Sequence, residues 1–187
     1  MDERAVRLRL GPTHSFAGIG LKLVFKKLAR KHFAAVHELA LKGWLFAYAH
    51  LSKKELEKLV ERHYSARALE RDLENSRRGK GFFALAFENK KLVGFCHVAL
   101  RGKSGELCRL YIEPNRIGKG IGKKVLEHGE KFLQRNRVEK YFTFVNRHNR
   151  TGINFYLRNG FKRKPTKDKD DEFEDNALWH IEKKLNR

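Results

Sequence analysis

The chain has 187 residues, which suits one domain with a short extension. Its 41% apolar content and 14 Phe exclude a disordered or low-complexity chain and supply a real core. Its 42 Lys and Arg against 22 Asp and Glu give a formal charge of +20, a field that attracts polyanions such as phosphate-rich ligands or nucleic acid.

No apolar stretch approaches the roughly 18 residues of a membrane span. Residues 1–20 hold no continuous apolar run of the secretory kind and read as an extension ahead of a domain at 21–187. Cys96 and Cys108 sit in apolar, strand-like runs and read as small hydrophobes rather than as a disulfide or metal site. A reducing, cytoplasmic setting fits that usage, and His and Cys are not clustered at metal-ligand spacing.

Residues 21–28 form a plausible first strand. Phe33, Val36 and Ala40 recur at helical spacing, so a helix is expected over 31–41. Residues 43–51 are aromatic and irregular, with Trp44, Phe46, Tyr48 and His50. Ser52 and Glu55 have capping-box spacing, and Leu56, Leu59, Val60 and His63 then share one face of a second helix. Three apolar runs follow at 81–87, 92–100 and 107–112, separated by polar turns, which is the pattern of an antiparallel meander. After Gly122 the period lengthens. Val125, Leu126, Gly129, Phe132 and Leu133 mark an amphipathic helix. Residues 141–145 read as a strand, 149–159 as a short helix closed by Gly160, and 161–164 and 177–185 as final paired strands. Between those last strands, residues 167–175 carry six acidic side chains.

The loop from Pro114 to Gly122 lies between a strand and a helix. Gly118, Gly120 and Gly122 let the backbone approach a ligand closely, and the helix start offers unpaired amides and a positive dipole end. That combination suits a pyrophosphate, and Lys119, Lys123 and Lys124 add charge. The spacing fits neither a P-loop nor a dinucleotide fingerprint.

Leu110-Tyr-Ile-Glu-Pro114 followed by Gly118-Lys-Gly-Ile-Gly122 resembles the coenzyme-binding motif of the GNAT N-acetyltransferase superfamily. Asn149-Arg-Thr-Gly-Ile-Asn-Phe-Tyr156, then Gly160-Phe161, resembles that family's second motif, at the expected distance. The resemblance spans nearly the whole chain. It implies an α+β GNAT fold, with a mixed, mostly antiparallel sheet of about six to seven strands flanked by about four helices. It also implies an acetyltransferase that takes acetyl-CoA as co-substrate. The acetyl group would pass to a primary amine by direct attack in a ternary complex.

On the matching positions, the resemblance assigns coenzyme contacts to Leu110, Tyr111, Ile112, Ile117, Gly118, Lys119, Gly120, Ile121, Gly122, Lys123 and Asn149. Tyr156 would also touch the coenzyme and protonate its thiolate as general acid, and Glu106 would deprotonate the amine, with His97 and His148 as alternatives. Two departures stand out. Ile117 occupies the place of a usual Gln or Arg, with Arg116 one position earlier, and Gly152 stands where Ala is usual.

Trp44, Tyr48, Ser52 and Leu56 loosely resemble the microbial spermine/spermidine acetyltransferases, which places Trp44 and Tyr48 at the acceptor. A polyamine or a peptide amine is the acceptor this implies, and the acidic run at 167–175 would attract such a cation. The resemblance also points to a homodimer. Two other classes stay in view: a non-catalytic acyl-CoA sensor, and a basic nucleic-acid-associated protein on a GNAT-like fold.

Overall fold

The computed structural model describes residues 22–49, 51–164, 169–170 and 177–185. The expected extension at 1–20, His50 and most of the acidic run at 167–175 lie outside the described residues. The first strand, β1, is Val24–Lys27. Helix α1 is Phe33–Ala47 and α2 is Lys53–Tyr64. The capping box of α2 is formed in both directions: Ser52 Oγ accepts from the Glu55 amide (3.3 Å), and the Ser52 amide donates to the Glu55 carboxylate (3.0 Å). A third helix, α3, spans Ala66–Arg77. The meander follows as β2 (Gly81–Glu88), β3 (Lys91–Arg101) and β4 (Ser104–Ile112). Asn89 and Lys90 both have positive φ (47° and 66°), the geometry of a two-residue hairpin that matches strand twist. Helix α4 is Ile121–Arg135, β5 is Lys140–Asn146 and α5 is Arg150–Arg158. Two short strands, β6 (Lys162–Arg163) and β7 (Lys169–Asp170), both pair with β8 (Ala177–Lys184).

These strands form one sheet in the order β1-β2-β3-β4-β5-β8-β6, with β7 beside β8. The α+β class and the GNAT architecture are those implied by the sequence. Every pairing is antiparallel except β4 with β5, which touch in parallel only at Gly105↔Tyr141 and Glu106↔Phe142. Beyond those residues the two strands splay. A bulge reinforces the splay: His97 pairs with Arg109 and Val98 with Leu107, so Cys108 is the extra residue. The sheet therefore opens in its middle, where irregular backbone is free to meet a ligand.

Two cores hold the halves in place. On one face Ile121, Val125, Leu126 and Leu133 of α4 pack on Val98, Leu107 and Tyr141. On the other, Val36, Val60, Leu69 and Leu73 of the first three helices pack on Phe83, Leu85 and Phe95. Full burial of each large apolar side chain contributes about 2 kcal/mol.

The structure departs from the sequence reading in two places. Helix α1 does not stop near residue 41 but continues through Gly43 and Trp44 to Ala47. Gly43 is buried because the Tyr111 ring lies against the helix there; a Cβ would meet Tyr111 Cδ1 at 2.5 Å. The glycine is a packing residue, not a breaker. Helix α3 has no counterpart in the sequence reading, because its apolar face is only Ala68, Leu69 and Leu73 in a highly charged run. The signal present was Ser65, whose hydroxyl accepts from the Ala68 amide at 3.4 Å. Among the described residues, no helix is long and apolar enough to cross a membrane.

Candidate active site

Two clefts meet at the splay of β4 from β5. The first, about 410 Å³, lies over the C-terminal half of β4, the glycine loop and α5. Its walls include Leu110, Tyr111, Ile112, Ile117, Gly118, Gly120, Gly122, Lys123, Asn149 and Tyr156. Of the coenzyme residues expected from the sequence, Lys119 and Ile121 are not in the wall. Lys119 is exposed, and the Ile121 side chain is fully buried in the α4 core, which leaves only its amide facing the loop.

The loop has the shape an anion needs. Gly118 (φ 83°) and Gly120 (φ 77°) adopt left-handed backbone, and nothing lies within 4 Å of where either would carry a Cβ. Gly120 is the N-cap of α4, so the first amides of that helix have no helical carbonyl behind them and point their donors outward. The residues present therefore fit a pyrophosphate. Arg116 lines the same cleft, and its guanidinium pairs with Glu88 at 2.7 Å. Ile117 is 40% exposed at the rim and offers no polar contact of its own.

Asn149 has a local duty the sequence reading missed. Its Oδ1 accepts from the Gly152 amide at 2.8 Å and caps α5. Gly152 lies against that cap: a Cβ there would meet Asn149 Nδ2 at 2.8 Å, so the Asn149 side chain would have to shift.

The second cleft, about 350 Å³, opens on the other side of the splay. It is walled by aromatics: Trp44 of α1 and Tyr48 at its C-cap, Tyr64 of α2, Tyr111 of β4 and Phe144 of β5. Trp44 and Tyr48 thus sit together, their rings 5.5 Å apart. His63, Cys108, Arg109, Thr143 and Asn146 are polar or titratable members that the sequence did not single out as site residues. His63 lies 6.3 Å from the Trp44 ring and nearly parallel to it (26°). Arg109 is the cleft's fixed cation. It pairs with the buried Asp72 of α3, donates to the His63 carbonyl (3.0 Å) and lies 4.7 Å over the Tyr64 ring. One guanidinium thereby ties α2, α3 and the β4 bulge together. No sequence spacing announces this, because Asp72 and Arg109 are far apart in the chain. Burial pushes the Cys108 thiol up to about 12, so it is not a thiolate nucleophile near neutral pH.

Ala47, Leu110, Tyr111, Asn149 and Tyr156 line both clefts. Tyr156, on α5, stacks edge-on between Phe155 (5.5 Å) and Phe161 (5.1 Å). Burial holds its phenol well above the usual tyrosine range, so it stays protonated and able to donate.

The remaining candidates lie elsewhere. Glu106 is on β4, where that strand still pairs with β5, and it accepts from Arg101 Nε at 2.6 Å. It lines neither cleft. His97 is buried between the sheet and α3, and His148 is exposed beyond β5; neither lines a cleft.

Comparison with known proteins agrees with this geometry. The model of the acetyltransferase (GNAT) family matches residues 33–161. A spermidine N(1)-acetyltransferase of Thermoplasma acidophilum is 29% identical over 148 residues, covering 78% of this chain and 92% of that protein. The crystal structure of the PaiA N-acetyltransferase of Thermoplasma acidophilum in complex with coenzyme A superposes with a TM-score of 0.79 at 28% identity, covering 88% of this chain and 99% of that one. A GNAT acetyltransferase of Staphylococcus aureus shares the fold at a TM-score of 0.70 and 17% identity, covering 88% of this chain and 100% of that one.

Proposed function

This chain belongs to the acetyltransferase (GNAT) family, and we propose that it acetylates a primary amine of a polyamine, with Tyr156 as general acid between coenzyme and acceptor. Its acetyl group comes from acetyl-CoA. The observation that carries the reading is the meeting of the two clefts at Tyr156 and Asn149. In this reading the loop amides around Gly118 to Lys123 hold the pyrophosphate, and the unpaired half of β4 receives the pantetheine arm. The amine enters from the aromatic cleft and attacks the thioester carbonyl. As the carbon–sulfur bond breaks, the Tyr156 phenol gives its proton to the leaving sulfur. Its raised pKa keeps that proton available at any working pH.

A polyamine acceptor is supported by the name of the Thermoplasma relative and by the cleft walls. Trp44, Tyr48 and Phe144 are aromatic members of the cleft wall, the residue type whose ring attracts a desolvated ammonium by about 0.5–2 kcal/mol. For the amine's proton, His63 is the imidazole in the cleft wall, whereas Glu106 is committed to Arg101.

The test is coenzyme A release from acetyl-CoA with spermidine, spermine, aminoglycosides and Lys-rich or N-terminal peptides, run beside Tyr156→Phe. Spermidine turnover that falls by about 10²–10⁴-fold in the variant, with coenzyme A affinity unchanged, is the expected result. Turnover of peptides alone overturns the polyamine assignment. Full activity of the variant overturns the role of Tyr156.

A further inference from the structure

At the end of the sheet away from the clefts, five elements bring their basic termini together. Helix α3 ends there and runs through Arg78 and Lys80 into β2. The Lys80 carbonyl accepts from the Leu100 amide at 2.9 Å, which sets it beside the β3–β4 turn and Lys103. Helix α4 ends there too, with Arg135 and Arg137, and Phe132 near its end stacks on Phe82 of β2 (5.5 Å). Beyond it Lys140 of β5 pairs with Lys184 of β8. Arg78, Lys80, Lys103, Arg135, Arg137 and Lys184 are all exposed, and none is in an ion pair among the described residues. Of the carboxylates near this end among the described residues, Glu106 is held by Arg101 and Glu182 by Lys140 and Lys164; Glu139 and Glu74, on the last turn of α3, are also present.

This end is separate from the coenzyme cleft. The cleft sits at the N-terminus of α4 and the basic end at its C-terminus, so the 15-residue helix sets them about 20 Å apart. A pyrophosphate bound at the loop leaves these six cations unused.

We propose that the basic end of the sheet is a docking surface for the phosphate backbone of double-stranded nucleic acid, read without regard to sequence. Three observations choose this partner. Half of the six cations are Arg, whose planar fork takes phosphate oxygens two at a time. Among the described residues the exposed large apolar side chains are Val24, Phe46, Ile117 and Leu157, all outside this end, so it has no side chain to insert into a membrane. Among the described residues its aromatic rings are half-buried, Phe82 and Phe132 stacked on each other, so none is fully exposed for unpaired bases to stack on, which favours a duplex over a single strand. The surface is independent of the acceptor assignment and leaves the acetyl-transfer machinery untouched.

The experiment measures fluorescence anisotropy of a labelled random-sequence DNA or RNA duplex with the full chain, across 50 to 200 mM salt. It compares wild type with a variant carrying Arg78→Gln, Lys80→Gln, Lys103→Gln and Arg135→Gln. A charge-matched control carries Lys54→Gln, Lys58→Gln, Arg67→Gln and Arg71→Gln on α2 and α3. Vesicles rich in anionic lipid form a parallel arm. The wild type is expected to lose about 10³-fold in affinity over that salt range, since each of the six phosphate contacts adds about −0.9 to the slope of log K against log salt. The first variant is expected to flatten that slope by about 3–4, while the control keeps the wild-type slope and all three proteins release coenzyme A at the same rate. Absence of duplex binding at 50 mM salt, equal weakening in the control, or binding to vesicles but not to duplex would each overturn the proposal.

Discussion

Replacing His97 with Phe should make the protein more resistant to acid, and the structure sets the size of the effect. The His97 ring is 5% exposed, stacks on Phe83 at 5.1 Å, and has no hydrogen-bond partner for either ring nitrogen. The nearest carboxylate oxygen, on Asp72, is 4.0 Å away, beyond hydrogen-bond reach. Burial is the largest influence and lowers the imidazole to about 4; Arg109 and Arg101 push the same way, and Asp72 opposes them. In the unfolded chain His97 titrates near 6.5. Between those values the unfolded state takes up a proton that the folded state refuses, so stability is present above pH 6.5 and is lost as pH falls toward 4. Full titration is worth about 3 kcal/mol, and about 2 kcal/mol is lost by pH 5. That is a large part of a typical folding free energy of about 5–15 kcal/mol. Urea unfolding of wild type and His97→Phe at pH 7.5 and pH 5 isolates the term, because the other titrating groups cancel in the difference. The variant should gain about 2 kcal/mol relative to wild type on acidification. A relative change below about 0.5 kcal/mol would refute the account of His97 as a desolvated, unpartnered imidazole.

Other outcomes follow from the same structure. Gly120→Val places a β-branched residue in left-handed backbone at the mouth of the coenzyme cleft, so it should cost about 1–3 kcal/mol in unfolding free energy and raise the coenzyme A dissociation constant sharply; calorimetric titration reads the second effect. His63→Ala should lower kcat by about 10²–10⁴-fold, whereas Glu106→Gln should leave kcat near wild type, because its exposed pairing with Arg101 is worth less than about 1 kcal/mol; the reverse pattern would give the base to Glu106. Ser52→Ala removes the N-cap of α2 and should cost about 1 kcal/mol by urea unfolding.

Much of this architecture was legible because its signals are local. Ser52 and Glu55 mark the start of α2 because a cap is a contact between neighbours in the chain. The meander shows in the alternation of apolar runs and turns, and α4 in its 3.6-residue period. The glycine loop and the Asn149–Tyr156 motif mark the first cleft because backbone shape depends on which residues lack a Cβ and on their spacing. Where reading failed, tertiary contacts outweighed local preference. Gly43 stays helical because the Tyr111 ring lies against it, and α3 forms on a thin apolar face because Leu69 and Leu73 find the Phe83–Phe95 layer.

The amino-acid sequence by itself determined the motifs that resemble the family, the glycine loop and most element positions, because those rest on residue types and their spacing along the chain. Only the tertiary structure decided which residues share the aromatic cleft. Trp44, His63, Arg109 and Phe144 come from four separate elements and share a cleft solely because β4 leaves β5 after Glu106. The same folding withdrew His97 from the cleft and tied Glu106 to Arg101. Residue types announce what chemistry is available; which groups converge depends on contacts between distant segments, and no local pattern encodes those.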